Sequence, residues 1–318
     1  MRAFSLALIA VLLIFCNSVL AEWENFGLKG ITILCLTVHP TADSIIYAGT
    51  NNNGFYFTEN GGLNWINSLE GHMVVYIAVN RMNPQIVAAL TSKGIFQSRN
   101  GGRTFSEINI SGYGIPKCIA WDETQTKGTF LGTDSGILKS FDLGKTWQAA
   151  GLQENEITSI TLDNSGPKPI IYAGSSTGGV YKTANLGLSW TSQNNGLDNP
   201  AIFNVLCDRI APKTLFAATL ESGVFISKDG ATNWEMTAIE LKSLAGFSIG
   251  QAVDPISNKS IIYISNFAGE IFKTEDAIKY ERIGEFNQKP VLCFGVSNVL
   301  PSRLYYGTID GIYSFQEK

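Results

Sequence analysis

The chain has 318 residues, of which 45% are hydrophobic, 11% aromatic and 16% charged. That length suffices for a large buried core, and the composition excludes a disordered or low-complexity protein. With 23 Lys and Arg against 27 Asp and Glu, a net charge of −4, no basic stripe of the kind a nucleic-acid binder carries is expected.

Residues 1–21 read as a secretory signal peptide. Arg2 supplies the positive start, Ala3 to Phe15 an apolar run, and Val19 and Ala21 the small residues before a cleavage point. The apolar run is short for a membrane-spanning helix, and no stop-transfer pattern follows it. Phe15 precedes Cys16 where a lipoprotein signal needs a small residue. Cleavage after Ala21 is therefore expected, with residues 22–318 as one exported domain in the periplasm or the medium.

One unit then repeats. Five segments share a Ser/Thr-x-Asn/Asp wording that closes on an aromatic: Thr58 to Trp65, Ser98 to Phe105, Ser140 to Trp147, Thr183 to Trp190 and Ser227 to Trp234. Four have glycine at the fifth place, and the last has Gly230 one place early. Thr274 to Tyr280 is a decayed sixth copy that keeps Asp276, and Trp23 falls in phase before the first. A strand ending in a small residue precedes each unit, at Gly49, Ala89, Gly132, Gly174, Ala218, Ser265 and Gly307. A turn glycine follows at 54, 94, 136, 179, 223, 269 and 311. Each unit reads as four strands, a to d, and no segment shows a helical period.

Roughly 42 residues per four-stranded unit is the signature of a β-propeller. Trp23 to Leu28 matches Trp147 to Leu152 and Trp190 to Leu197, which are d strands, while the last unit stops after strand c. Pairing the two ends completes a seventh blade and hides two open sheet edges. An all-β, seven-bladed propeller, closed by its N-terminal strand and monomeric, is the expectation; an open solenoid is the alternative.

The run Ile45 to Thr50, followed by Gly54 to Trp65, resembles the bacterial neuraminidase repeat, or Asp-box, superfamily. Similar units occur in sialidases, xyloglucanases, sortilin-type receptors and photosystem II assembly factors. The resemblance implies a fold over nearly the whole mature chain and leaves activity open, because sites are grafted onto folds. It also implies that the Asp boxes and a–b turns lie on one face, with the b–c turns and d–a loops forming a ligand-binding face opposite. The box Asn and Asp side chains read as turn formers.

Sialidases of this kind need an arginine cluster and an Arg-Ile-Pro motif. The motif is absent, and Arg81, Arg99, Arg103, Arg209, Arg282 and Arg303 do not fall on the expected binding face. A glycoside hydrolase would need two carboxylates about 5–10 Å apart, for which Asp134 and Glu156 are the candidate pair. His39 and His72 are too far apart in the repeat to suggest a metal site. No cofactor is implied.

The leading expectation is a non-enzymatic scaffold for a protein or glycan, with a polysaccharide hydrolase as the alternative. The ligand-binding candidates are Asn51, Asn52, Asn53, His72, Tyr113, Asp134, Ser175, Ser176, Glu221, Phe267 and Asp310. Polar amides and scattered aromatics there suit hydrogen bonding and stacking. Cys35, Cys118, Cys207 and Cys293 are read as one repeat position in blades 1, 3, 5 and 7, matched by Tyr76, Ser159 and Gly250 elsewhere. Buried reduced thiols are expected there, with disulfides or a metal ring as alternatives.

Overall fold

The computed structural model describes residues 23–317, apart from 125–127, 199–200, 238–246, 255, 267, 287–289 and 299–301. The expected leader and its cleavage point lie outside the described residues. What is described forms strands and turns only, arranged as seven four-stranded antiparallel sheets. Among the described residues no helix is long and apolar enough to cross a membrane.

Blade 1 sets the pattern, with strand a at Ile33–Val38, b at Ile46–Thr50, c at Phe55–Thr58 and d at Ile66–Ser68. Strand b is buried throughout, because each sheet is sandwiched between two others. Strands a lie side by side around a central channel, and strands d form short outer edges. The closing blade takes its inner three strands from Val291–Val296, Arg303–Thr308 and Gly311–Gln316. Its outer strand is Glu24–Gly27, paired antiparallel as Glu24 with Ser314 and Asn25 with Tyr313. The fold is a seven-bladed β-propeller whose ring is closed by its N-terminal strand.

The repeated box has a single hydrogen-bond plan. In blade 1 the Thr58 hydroxyl accepts the Gly62 N–H at 2.9 Å and donates to Asn60 Oδ1 at 3.0 Å. Asn60 Oδ1 also accepts the Asn64 N–H at 3.0 Å. Ser98 with Asn100, Ser140 with Asp142, Thr183 with Asn185 and Ser227 with Asp229 repeat these bonds. The fourth and fifth box residues are both left-handed, which explains how Gly230 can come one place early. Gly230 takes the fourth position at φ +74° and Ala231 the fifth at +70°.

Neighbouring blades are also stitched through this turn. The last-but-one residue of strand c reaches the carbonyl of the fourth box residue on the next blade. Gln97 donates to Leu143 O at 2.9 Å, Lys139 to Leu186 O at 2.9 Å and Lys182 to Gly230 O at 2.8 Å. Blade 7 has no c–d turn, because its outer strand comes from the other end of the chain. There Lys273 of blade 6 meets the Glu317 carboxylate at 2.6 Å instead.

Register corrects several sequence assignments. Thr91 of blade 2 is the counterpart of Thr50, so Leu90, not Ala89, stands where the other blades have Gly49, Gly132, Gly174, Ala218, Ser265 and Gly307. Cys35, Cys118 and Cys293 do share one position, opposite Gly49, Gly132 and Gly307. Cys207 does not: it pairs with Leu215 at the far end of its strand, and Asn204 opposite Ala218 holds the shared place. In blade 6 that place is Ser248, opposite Ser265, and Gly250 lies two residues on. The frame slips because turn and strand lengths differ between blades. The blade 2 turn runs from Thr91 to Gly94 where that of blade 1 runs from Thr50 to Gly54, strand a of blade 5 already stops at Cys207, and strand a of blade 6 is longer.

Candidate functional site

The d–a loops and b–c turns do share a face, and backbone bonds tie them together. Asn51 N–H donates to Thr32 O, Asp134 N–H to Ile115 O, Ser176 N–H to Glu156 O and Leu220 N–H to Ala201 O, all at 2.9–3.1 Å. Each b–c turn is capped from within by the residue ending strand b. Thr50, Thr91, Thr133, Thr219 and Thr308 donate their hydroxyls to the carbonyl of the turn glycine at 2.7–3.0 Å. Ser175 takes the same place in blade 4. It is fully buried, and its hydroxyl accepts the Thr177 and Gly178 N–H groups. Its neighbour Ser176 is half-exposed, and Thr177 is the exposed tip of that turn.

The other candidates fall into three groups. Asn51, Asn52, Asn53 and Glu221 are exposed on turn tips, with Asn52 left-handed at φ +67°. His72 and Tyr113 belong to d–a loops. The His72 ring packs edge-on against Phe96 at 4.8 Å, and the Tyr113 hydroxyl donates to Trp147 O at 3.5 Å. Asp310 is half-buried and accepts the Gly30 N–H at 2.9 Å, tying the last b–c turn to the loop after the closing strand. Phe267 lies outside the described residues.

Asp134 and Glu156 are brought close enough for the charge of Asp134 to act on Glu156. Both carboxylates already have work. Asp134 Oδ1 accepts the Ile115 N–H and the Ser135 hydroxyl, each at 2.9 Å. Glu156 is paired with Lys117 at 2.8 Å, and that hydrogen bond, opposed by partial burial, holds its carboxyl below the usual range. The general acid of a glycosidase needs the opposite shift.

The central channel supplies what counting along the chain does not find. At the b–c end it narrows to a cavity of about 270 Å³ lined by Leu34, Val75, Leu292 and Phe203. Phe203, Leu220, Ile309 and Ile115 are large apolar residues left 43–50% exposed on this face. They come from blades 5, 7 and 3, and the Lys117–Glu156 pair adds a charged sector. At the a–b end the channel opens into a wider mouth of about 780 Å³, lined among others by Arg81, Glu123, Asn164, Arg209 and Asn298. Arg209 lies past the end of strand a, in the a–b turn, because that strand stops at Cys207. Their one sequence signal is a shared place just past strand a, two residues beyond its end for Arg81, Glu123, Arg209 and Asn298 and one for Asn164, whose strand is longer.

The thiols are structural. Cys35, Cys118 and Cys293 point at the first strand-a carbonyl of the next blade, at Val74 O, Ile157 O and Ile33 O, 3.7–3.9 Å away. In blade 4 that first carbonyl, Ile202 O, is met instead by the Thr158 hydroxyl at 2.7 Å, and Ser159 donates to Val205 O at 3.3 Å. The four cysteines among the described residues are unpaired thiols, and burial pushes Cys35, Cys118 and Cys207 up to about 12. No group of three or more metal-ligating side chains occurs among the described residues.

No known family profile matches the chain, and no curated protein sequence does. Solved structures do. YCF48 from Cyanidioschyzon merolae superposes with a TM-score of 0.70 at 13% identity, over 93% of this chain and 99% of that one. The likeness shows the fold. A second propeller, YCF48 bound to D1 peptide, matches at 0.68 with 15% identity over 94% and 97%. An ancestral GH74 enzyme matches at 0.75 with 17% identity, over 93% of this propeller but 46% of the enzyme. The GH74 enzyme of Niastella koreensis gives 0.72 and 18%, with 53% of its length covered. This propeller thus spans about half of a GH74 enzyme and nearly all of YCF48.

Proposed function

We propose that the protein is an exported, non-enzymatic scaffold that holds a segment of another protein against its b–c and d–a face. The observation that carries this reading is the surface around the narrow end of the channel. Exposed Phe203, Leu220, Ile309 and Ile115 lie on the same face as the Lys117–Glu156 ion pair, so a segment laid across it can bury apolar side chains and meet charge as well. Turns that are capped and cross-bonded present this surface rigidly, which limits the ordering cost of binding. That YCF48 is solved with a D1 peptide bound supports peptide capture on such a ring.

Hydrolysis of a polysaccharide is the second reading, favoured only by the proximity of Asp134 and Glu156 and by the GH74 likeness. Those enzymes are about twice as long. Glu156 is stabilised as a carboxylate by Lys117, which suits binding better than acid catalysis.

Crosslinking capture from native envelope and culture fluid, followed by mass spectrometry, tests the first reading. A partner should be lost with Phe203→Asp and retained with Leu188→Asp, an exposed apolar residue in an Asp box away from this face. Alanine changes at Asn52, Ser176 and Glu221 should weaken capture further. A partner held equally by all variants sinks the assignment. Turnover on a polysaccharide panel, abolished by Asp134→Asn, would put the hydrolase first.

A further inference from the structure

The opposite mouth of the channel has its own chemistry. Where strand a ends, each blade places a polar residue that builds its own a–b turn. Asn80 Oδ1 accepts the Met82 and Asn83 N–H groups, and Asp122 Oδ1 the Thr124 N–H. Asp163 Oδ1 accepts the Ser165 N–H, and Asp208 Oδ1 those of Ile210 and Ala211. Asp208 is further bonded by Gln251 and Ser260. These carboxylates line or underlie the mouth, with one oxygen of each turned onto backbone amides.

One residue further on, Arg81, Glu123 and Arg209 do not build their own turns, while Asn164 Oδ1 accepts the Glu123 N–H of the neighbouring blade at 3.3 Å. This ring comprises Arg81, Glu123, Asn164 and Arg209, and all four line the mouth. Arg81 and Glu123 form a loose pair at 3.5 Å. Arg209 is held by a neutral partner, with Nε donating to Gln251 Oε1 at 3.0 Å and Nη2 to Gln251 O at 3.1 Å. Among the described residues it makes no ion pair within 4 Å. Its surroundings oppose its charge: burial pushes its pKa down to about 10, nearby Arg81 adds to this, and Glu123 and Asp208 only partly offset it. An ordered, partly desolvated guanidinium with a second arginine in its field is how proteins prepare to meet an anion. Exposed Met82, Ile210 and Ile256 stand on the surrounding turns, so whatever enters meets apolar surface at the rim.

We propose that the a–b mouth binds a carboxylate carried on an apolar body, with Arg209 as its anchor and Arg81, released from Glu123, as the second cation. The carboxylate can belong to a small organic acid or to the C-terminus of a peptide. This site lies at the other end of the channel from the proposed protein-binding face and does not depend on it.

Titration calorimetry on the mature chain tests this, using hexanoate, hexanol, and a hexapeptide of apolar residues with a free or an amidated C-terminus. Hexanoate should bind and hexanol should not. If the free-acid peptide binds more tightly than hexanoate, and its amide does not bind, the source is a peptide terminus. If hexanoate is the tighter, the source is a small acid. Arg209→Gln should weaken binding about tenfold to a hundredfold, the usual worth of a charge-assisted bond. Glu123→Gln should tighten it severalfold by freeing Arg81, a gain that a purely structural role for these residues does not produce. If Arg209→Gln fails to fold, Arg81→Gln and Glu123→Gln still decide through their opposite signs. Absence of saturable binding by the wild-type chain at millimolar hexanoate and peptide overturns the proposal. So does equal binding of hexanoate and hexanol, or affinity unmoved by the charge changes.

Discussion

Trp23 stacks on Tyr306, with ring centroids 4.4 Å apart and planes 9° from parallel, although 283 positions separate them in the chain. The same indole meets Phe286 edge-on at 5.2 Å and donates its N–H to Glu285 O at 3.2 Å. One side chain therefore joins the first strand to blade 7 and blade 7 to blade 6. Trp23 is only half-buried, so the cost of Trp23→Ala should fall below the roughly 3–5 kcal/mol of a fully buried indole, at about 2–3 kcal/mol. Deleting residues 22–28 should lower the melting temperature further and bring light scattering, because Gly311–Gln316 becomes an open edge. A deletion variant that melts like the intact chain would contradict closure through this strand.

Two adjacent glycines in one box should respond differently. Gly61 and Gly62 are both left-handed, at φ +67° and +85°. A methyl on Gly61 would meet open space, whereas one on Gly62 would press on Phe26 O and Phe26 Cε1 at 2.8 Å. Gly61→Ala should cost about 1 kcal/mol for the backbone conformation alone. Gly62→Ala should cost about 1–3 kcal/mol more, the range for overpacking. Urea unfolding of the two variants measures the difference.

Acid should act on some boxes and not others. In blades 3 and 5 the box carboxylates of Asp142 and Asp229 are held down at about 2 by hydrogen bonds from Thr146 and Asn233. In blades 1, 2 and 4 the equivalent residues are Asn60, Asn100 and Asn185, which do not titrate. A carboxyl whose folded value lies below its unfolded value of 3.8 stabilises fully above that value, and the contribution is lost as pH falls toward 2. Stability should therefore drop between about pH 4 and 2, and the double variant Asp142→Asn, Asp229→Asn should flatten that drop. Thermal melts across this range check it; an unchanged slope would show that other carboxylates carry the effect.

The thiols should be inert until the ring opens. With Cys35, Cys118 and Cys207 raised to about 12, their thiolate fraction at pH 8 is only about 10⁻⁴, and burial pushes Cys293 well above its ordinary value too. Native protein produced from residue 22 onward should react with an aromatic disulfide reagent over hours, and its four thiols should react at once in denaturant. Cys35 and Cys293, which line the narrow cavity and are part-buried, should react before buried Cys118 and Cys207, and rapid native labelling of either of the latter would contradict their burial between blades.

The repeat was legible because packing demands it locally. A box turn needs a hydroxyl, an Asx oxygen and left-handed residues within a few positions, and each blade needs an aromatic to cover its neighbour. Those requirements appear in the sequence at Thr58, Asn60 and Trp65 and recur in phase, so blade number, strand order and the closing strand at Glu24–Gly27 could all be read before any coordinates. Register could not. Where strand a stops and how long the b–c turn runs decide which residue faces which. The strand end at Cys207 displaced that thiol, and the short turn from Thr91 to Gly94 put Leu90 where Ala89 was expected. The two ends of the channel were equally hidden. Phe203, Leu292 and Val75, or Arg81, Glu123 and Arg209, stand on different blades and converge only because the ring closes around one axis. A motif is written along the chain because its groups bond within one turn. These sites are assembled across blades, by side chains whose neighbours are set by closure of the ring and not by sequence distance.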